Sequence, residues 1–227
     1  MHSEFGDPRK VLYSKEKPIP ENLGSTECLV KWLMAPINPS DINMIEGTYM
    51  IRNELPAVVG NEGVGEILDV GSSVTTFKLG DWVIPNGTGI GTWSTHGVVD
   101  NNRLMPIDKD IPRLSAATIM VNPPTAYRML KDFVCLHEGD IVIQNGANSA
   151  VGQAVIQLAR EWKYKTINIV RDRPDINDLV TSLKNLGADY VVTEEFVKSP
   201  KMKELIKSLP SQPKLALILL EDQVQQN

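Results

Sequence analysis

The stretch Ile141-Val142-Ile143-Gln144-Asn145-Gly146-Ala147-Asn148-Ser149-Ala150-Val151-Gly152-Gln153 runs from an apolar strand pattern through small residues into a helical pattern. In that layout, backbone N–H groups at a helix N-terminus hold a dinucleotide pyrophosphate. A strict G-x-G-x-x-G is absent, and the same layout also serves plain strand–turn–helix connections. Val151, Ala154, Val155, Leu158 and Ala159 recur at helical spacing and make one apolar face. Thr166 to Arg171 is a short β-rich run, so the segment reads as a βαβ unit. An NAD site places an acid about 20 residues past the glycines, on the ribose 2′-OH. Here Arg171 lies 19 positions after Gly152, and Arg173 follows two later. A guanidinium forks a phosphate, so a 2′-phosphate is favoured, and with it NADPH over NADH. Asp172, between the arginines, either points away or binds a ribose. A solvated charge cluster at a strand end is the plainer alternative.

Two kinds of pattern surround this turn. Residues 1–113 read as mostly β, with strands at Cys28 to Met34, Val64 to Val70, Asp81 to Ile84, Gly97 to Val99 and Arg103 to Met105. One short helix, Asp41 to Glu46, is bracketed by Ser40 as N-cap and Gly47 as stop. Short strands punctuated by Gly and Pro predict a compact, partly closed barrel. Residues 114–220 alternate instead. Helices are predicted at Ser115 to Val121 and Thr125 to Phe133, followed by a strand from Asp140 and a helix from Val151. A strand from Thr166, a helix from Asp178 to Leu186 stopped by Gly187, a strand from Asp189 to Thr193, a helix from Met202 to Ser208 and a last apolar run from Lys214 to Leu220 complete the half. Such alternation means a parallel sheet with helices on both faces. Four candidate strands are fewer than the six of a complete dinucleotide fold, so this half reads as partial.

At 227 residues the chain suits one large or two modest domains, and a hydrophobic fraction of 42% is ordinary. The net charge of −5 argues against general nucleic-acid binding. No apolar run approaches the ~20 residues of a membrane span. Two cysteines, Cys28 and Cys135, are too few for a disulfide framework and fit a reducing compartment. The N-terminus shows neither a secretory signal nor an Arg-rich transit pattern.

A barrel followed by a nucleotide domain with this turn resembles the medium-chain dehydrogenase/reductase superfamily, in particular its mitochondrial enoyl thioester reductases. The carrying residues are Ala35 to Ile45 (APINPSDINMI), Glu54-Leu55-Pro56-Ala57, Gly60-Asn61-Glu62-Gly63 and Gly80 to Pro85 (GDWVIP). Thr125 to Leu130 (TAYRML) and Val170 to Ile176 (VRDRPDI) add to them. The resemblance implies an N-terminal GroES-like β-barrel domain over 1–113, a partial α/β Rossmann domain binding NADPH over 114–220, and a divergent polar tail at 221–227. It implies hydride transfer from NADPH to Cβ of a trans-2-enoyl thioester, on acyl carrier protein or CoA, in mitochondrial fatty-acid synthesis. A tyrosine serves as proton donor at Cα, and the matching residue is Tyr49. A phenol is protonated at neutral pH and can donate a proton. The implied cofactor contacts are Asn122, then Asn148, Ser149, Ala150 and Val151 at the phosphate turn, and Arg171, Asp172 and Arg173 at the adenosine 2′-phosphate. For Asn122 a helix-ending residue before proline is the alternative.

Zinc-dependent relatives carry a histidine in a Gly-His-Glu turn, which here reads Gly60-Asn61-Glu62. Only His2, His96 and His137 exist, and the cysteines lack a C-x-x-C spacing, so no metal site is expected. The electrophile is then activated by hydrogen bonds. The resemblance further implies a mitochondrial matrix location and a homodimer. A basic patch drawn from Arg103, Arg113, Arg128 and Lys131 is a candidate dock for an acidic carrier. After Leu217 the match ends, and residues 218–227 read as the end of a truncated form, leaving the fourth strand as an apolar edge. An inactive truncated isoform or fragment, or a quinone or alkenal reductase of the same superfamily, are the alternative readings.

Overall fold

The computed structural model describes residues 1–218. The expected polar tail at 221–227 and the end of the last apolar run, Leu219 and Leu220, lie outside the described residues. The chain forms two compact units, Met1–Val121 and Asn122 onward. The boundary expected at 113/114 therefore falls eight residues before the observed one.

In the first unit, α1 (Pro8–Val11) precedes β1 (Glu27–Met34), α2 (Pro39–Glu46), β2 (Val64–Val70), β3 (Trp82–Pro85), β4 (His96–Asp100), β5 (Leu104–Ile107) and α3 (Arg113–Ala117). The strands form one antiparallel sheet in the order β4-β1-β2-β3-β5. Two register shifts interrupt the pairing of β1 with β2, between Leu29 and Val30 and between Trp32 and Met34. Bulges of this kind add twist and curvature to a sheet. Cys28, Val30 and Trp32 alternate inward from β1 and pack on Ile67, Val83, Val99, Leu104 and Phe77. On the opposite face, Val64 and Ile84 pack on Ala116 and Ala117 of α3. That packing is why α3 belongs to the first unit.

Helix α2 starts earlier than Ser40 predicted. Its N-cap is Asn38, extended at φ −101° and ψ 149°. A residue before proline is pushed to that region, and Pro39 fits the first helical position. The stop is as expected: Gly47 takes the left-handed conformation at φ 75°. Helix α3 ends at Ala117 rather than running to Val121.

In the second unit, α4 (Asn122–Lys131) is followed by β6 (Ile141–Gln144), α5 (Ala150–Glu161), β7 (Lys165–Val170) and α6 (Ile176–Leu186). Then come β8 (Tyr190–Thr193), α7 (Glu194–Lys198), α8 (Pro200–Ser208) and β9 (Leu215–Leu217). Asn122 thus opens a helix, with both prolines in its first turn, instead of closing one. The sheet is parallel, in the order β8-β7-β6-β9 among the described residues. Third, second, first, fourth is the strand order of a dinucleotide-binding fold around its switch point. Ala126 and Leu130 of α4 and Val155 of α5 cover Val142, Leu215 and Leu217 on one face. Met202 of α8 covers Ile141 and Ile167 on the other. Leu130, Val142 and Val155 are fully buried, each worth on the order of 1.5–3 kcal/mol. No helix among the described residues is long and apolar enough to cross a membrane.

Candidate functional site

The turn between β6 and α5 is built by backbone contacts that exclude side chains. Gly146 takes φ 54°, and its carbonyl accepts from Ser149 N–H at 2.9 Å. Ser149 caps α5, its hydroxyl accepting from Gly152 N–H at 3.1 Å. A Cβ at Gly152 would stand 2.6 Å from Gly146 O and 2.7 Å from Ala147 Cα, so the helix can lie this close to the turn only with glycine there. Gln153 Nε2 donates to Asn148 O at 2.8 Å, bracing the loop from the helix side. The N–H groups of Ala150 and Val151 stand in the first turn of α5, where a helix leaves its donors unpaired. They, with the positive end of the helix dipole, form the kind of cradle a diphosphate requires.

Beneath the turn lies a buried amide chain that the sequence did not reveal. Gln144 Nε2 donates to Gly152 O at 3.0 Å and to Asn168 Oδ1 at 2.8 Å. Asn168 Nδ2 donates to Thr166 Oγ1 at 2.8 Å and Tyr190 O at 3.0 Å. Gln144, Thr166 and Asn168 are all buried. The first turn of α5 is thereby linked to β7 and β8. The signal for it was present: polar residues inside otherwise apolar strands.

At the end of β7, Arg171 and Asp172 are exposed and Arg173 is half-buried. Asp172 Oδ1 accepts from Arg173 N–H at 2.9 Å, so that oxygen is turned onto its own chain. The structure brings Arg171, Asp172 and Arg173 together on one short segment. The phosphate turn is anchored to β7, the strand that leads into this segment, Ala147 N–H donating to Ile169 O at 3.3 Å. Asn122 is half-buried at the start of α4.

In the first unit, Tyr49 follows the left-handed stop of α2. Its N–H and that of Thr48 both donate to Asn43 O, at 3.2 and 3.0 Å. Tyr49 is 37% exposed, and its hydroxyl has no hydrogen-bond partner among the described residues. The loop backbone is tied down while the phenol is left accessible.

The turn carrying Asn61 and Glu62 is more elaborate than its sequence suggested. Asn61 Nδ2 donates to Asp41 Oδ1 at 2.8 Å and contacts Met44 Sδ at 3.1 Å, while Asn61 Oδ1 accepts from Gly89 N–H at 2.7 Å. Both the donor and the acceptor of the amide are thereby used. Glu62 is 1% exposed. Its Oε2 accepts from Asn38 Nδ2 at 2.8 Å, and its Oε1 accepts from Met120 and Val121 N–H at 2.8 and 2.9 Å. Burial pushes the Glu62 carboxyl above its ordinary value; the hydrogen bonds from Asn38, Val121 and Met120 pull the other way, and Asp41 adds to the rise. Donation of the Met120 and Val121 N–H groups to Glu62 also explains why α3 ends early. An acid between glycines in an apolar stretch was the available signal.

The four cations considered as a carrier dock are each engaged within their own unit. Arg103 donates to Thr88 O. Arg113 lies over the Trp82 ring at 5.6 Å, Arg128 pairs with Asp132 at 2.5 Å, and Lys131 sits 4.0 Å above the Trp162 ring. Of the two cysteines, Cys135 is exposed and Cys28 is buried, its thiol pushed up to about 11 mainly by burial.

Comparison with known proteins bears on this site. The alcohol dehydrogenase GroES-like domain family matches residues 24–109. A mouse mitochondrial enoyl-[acyl-carrier-protein] reductase is 56% identical over 96% of this chain and 58% of its own length. A mitochondrial 2-enoyl thioester reductase heterodimer from Candida tropicalis superimposes with TM-score 0.90 at 37% identity, over 97% of this chain and 68% of that one. A solved complex of such a reductase with NADP and crotonyl-CoA superimposes with TM-score 0.91 at 37% identity, again over 97% and 68%. The chain thus spans 58% of the length of the mouse relative it matches.

Proposed function

Because the chain belongs to the mitochondrial enoyl thioester reductases of the medium-chain dehydrogenase/reductase superfamily, we propose that it contributes to NADPH-dependent reduction of trans-2-enoyl thioesters to saturated acyl thioesters. The turn Gly146–Gly152 carries the reading. It admits no side chain at Gly152, and the N–H groups of Ala150 and Val151 in the first turn of α5 are available to a diphosphate. The donor set fits the cofactor. Asn148, Ser149, Ala150 and Val151 would hold the diphosphate, Arg171 and Arg173 would pair with the adenosine 2′-phosphate, and Asp172 and Asn122 complete the contacts. When bound, NADPH supplies the hydride that is added at Cβ of the enoyl thioester.

Tyr49 gives its phenolic proton to Cα and regains one from water. One hydride at Cβ and one proton at Cα balance the reduction. The accessible hydroxyl on a braced loop suits that task. The acyl group would be carried on acyl carrier protein or CoA. The relatives' names support a mitochondrial setting; the matrix and a homodimer are what the family resemblance implies, and the solved Candida tropicalis relative is a heterodimer.

The test follows NADPH oxidation by this chain with trans-2-hexenoyl-CoA and, separately, with a quinone. Turnover of the thioester well above that of the quinone is expected. Preference for the quinone, or NADH serving as well as NADPH, overturns the reading.

A further inference from the structure

We infer that Glu62 is a positioning residue that ties α2, the helix leading into the Tyr49 loop, to the segment leading into Asn122, an inference that rests on the roles given above to Tyr49 and Asn122. Its carboxylate is fully buried and takes three donors from two distant stretches of chain. Oε2 holds Asn38, the cap of α2, at 2.8 Å; Oε1 holds the N–H groups of Met120 and Val121 at 2.8 and 2.9 Å. Asn38 N–H is held in turn by Asp41 Oδ2 at 2.9 Å. The main chain of Glu62 is fixed as well, its carbonyl accepting from Thr92 Oγ1 at 2.8 Å.

A carboxylate is suited to this task because it offers two acceptor oxygens and no donor. Burying such a charge on neutral donors is costly. A mere filler of this space would be served by a neutral group, so the acid points to a required geometry. The Asn38 arm sets the start of α2, whose end carries Tyr49 through the Asn43 carbonyl. The other arm sets the last two residues of the first unit, and Asn122 follows directly in the chain. One buried side chain therefore governs the backbone beside the proton donor and the backbone beside a cofactor contact.

Four substitutions separate the arms. Asn38→Ala removes the α2 arm together with the side-chain acceptor of the α2 capping box, Asn38→Asp keeps that acceptor but not the Nδ2 donor to Glu62, Glu62→Gln keeps an oxygen for Met120 and Val121, and Glu62→Ala removes both arms. Amide hydrogen exchange and NADPH affinity by nucleotide fluorescence are measured well below each unfolding midpoint. Asn38→Ala and Asn38→Asp are each expected to speed exchange at Gly47, Thr48 and Tyr49 by about tenfold or more, with Met120, Val121 and NADPH affinity unchanged. Glu62→Ala is expected to release both segments and to weaken NADPH binding by about tenfold. Glu62→Gln retains protection at Met120 and Val121 together with parental affinity.

Lowered unfolding midpoints with unchanged affinity and no segment-specific exchange would show an ordinary structural role and overturn the inference. If Glu62→Ala does not fold, Asn38→Asp and Glu62→Gln decide by the same exchange pattern. A parent chain that binds no NADPH refutes the cofactor reading instead; the exchange pattern still decides the tether.

Discussion

Gly152→Ala isolates the phosphate turn. The new methyl would lie 2.6 Å from Gly146 O, 2.7 Å from Ala147 Cα and 2.8 Å from Ala147 C, all backbone atoms. Relaxing the shortest contact to an ordinary ~3.5 Å demands about 0.9 Å of displacement. The turn cannot yield that freely, because Ala147 N–H is bonded to Ile169 O and Gly152 O to Gln144. Helix propensity favours alanine by about 1 kcal/mol, whereas overpacking costs about 1–3 kcal/mol. The net loss of stability is then up to about 2 kcal/mol, or up to about 8 °C in Tm for a chain of this size.

Cofactor binding is expected to suffer more. Displacing the cradle by such a distance removes at least one charge-assisted hydrogen bond to the diphosphate, worth about 1.5–3 kcal/mol. That is roughly a ten- to hundred-fold rise in the Kd for NADPH. Fluorescence titration beside thermal unfolding reads both quantities. Gly139→Ala is the control. A Cβ there meets nothing within 4 Å, and only the positive φ of 85° is strained, costing about 1 kcal/mol. It is expected to lower Tm without changing Kd. If Gly152→Ala binds NADPH as tightly as the parent, the diphosphate does not lie on this turn.

Three further outcomes follow from the same geometry. Tyr49→Phe is expected to leave Tm and NADPH affinity unchanged and to reduce turnover of an enoyl thioester by about 10²–10⁴-fold; an unchanged rate would remove the phenol from the chemistry. Arg171→Ala is expected to raise the Kd for NADPH by about tenfold or more while leaving NADH binding alone, and equal effects on both nucleotides would reject the 2′-phosphate role. Glu62 should impose a pH dependence on stability. Its carboxyl is raised in the folded chain, chiefly by burial, so between its ordinary and raised values the folded state binds more protons than the unfolded. Its contribution to stability therefore falls as pH rises through that window and is greatest below it. Thermal unfolding across pH 4 to 8 is expected to show Glu62→Gln gaining on the parent as pH rises; a constant difference would contradict the shift.

The sequence determined what depends on neighbours within a turn or two. The small residues after β6, the apolar face of α5, and the stops at Gly47 and Gly187 are local patterns, and the structure reproduces each. The alternation of strands and helices sufficed for the parallel sheet, because a crossover helix must cover the strands it joins. Even α7 had a local signature, since Thr193 caps it with Glu194 and Glu195 in its first turn; the strand reading of Thr193 hid it.

Tertiary structure decided the rest. Asn38 rather than Ser40 caps α2, α3 halts at Ala117, and the unit boundary falls after Val121. The first two involve Glu62, whose donors lie 24, 58 and 59 residues away. No local spacing encodes such a partner, because a buried carboxylate takes its donors from whichever segments packing brings beside it.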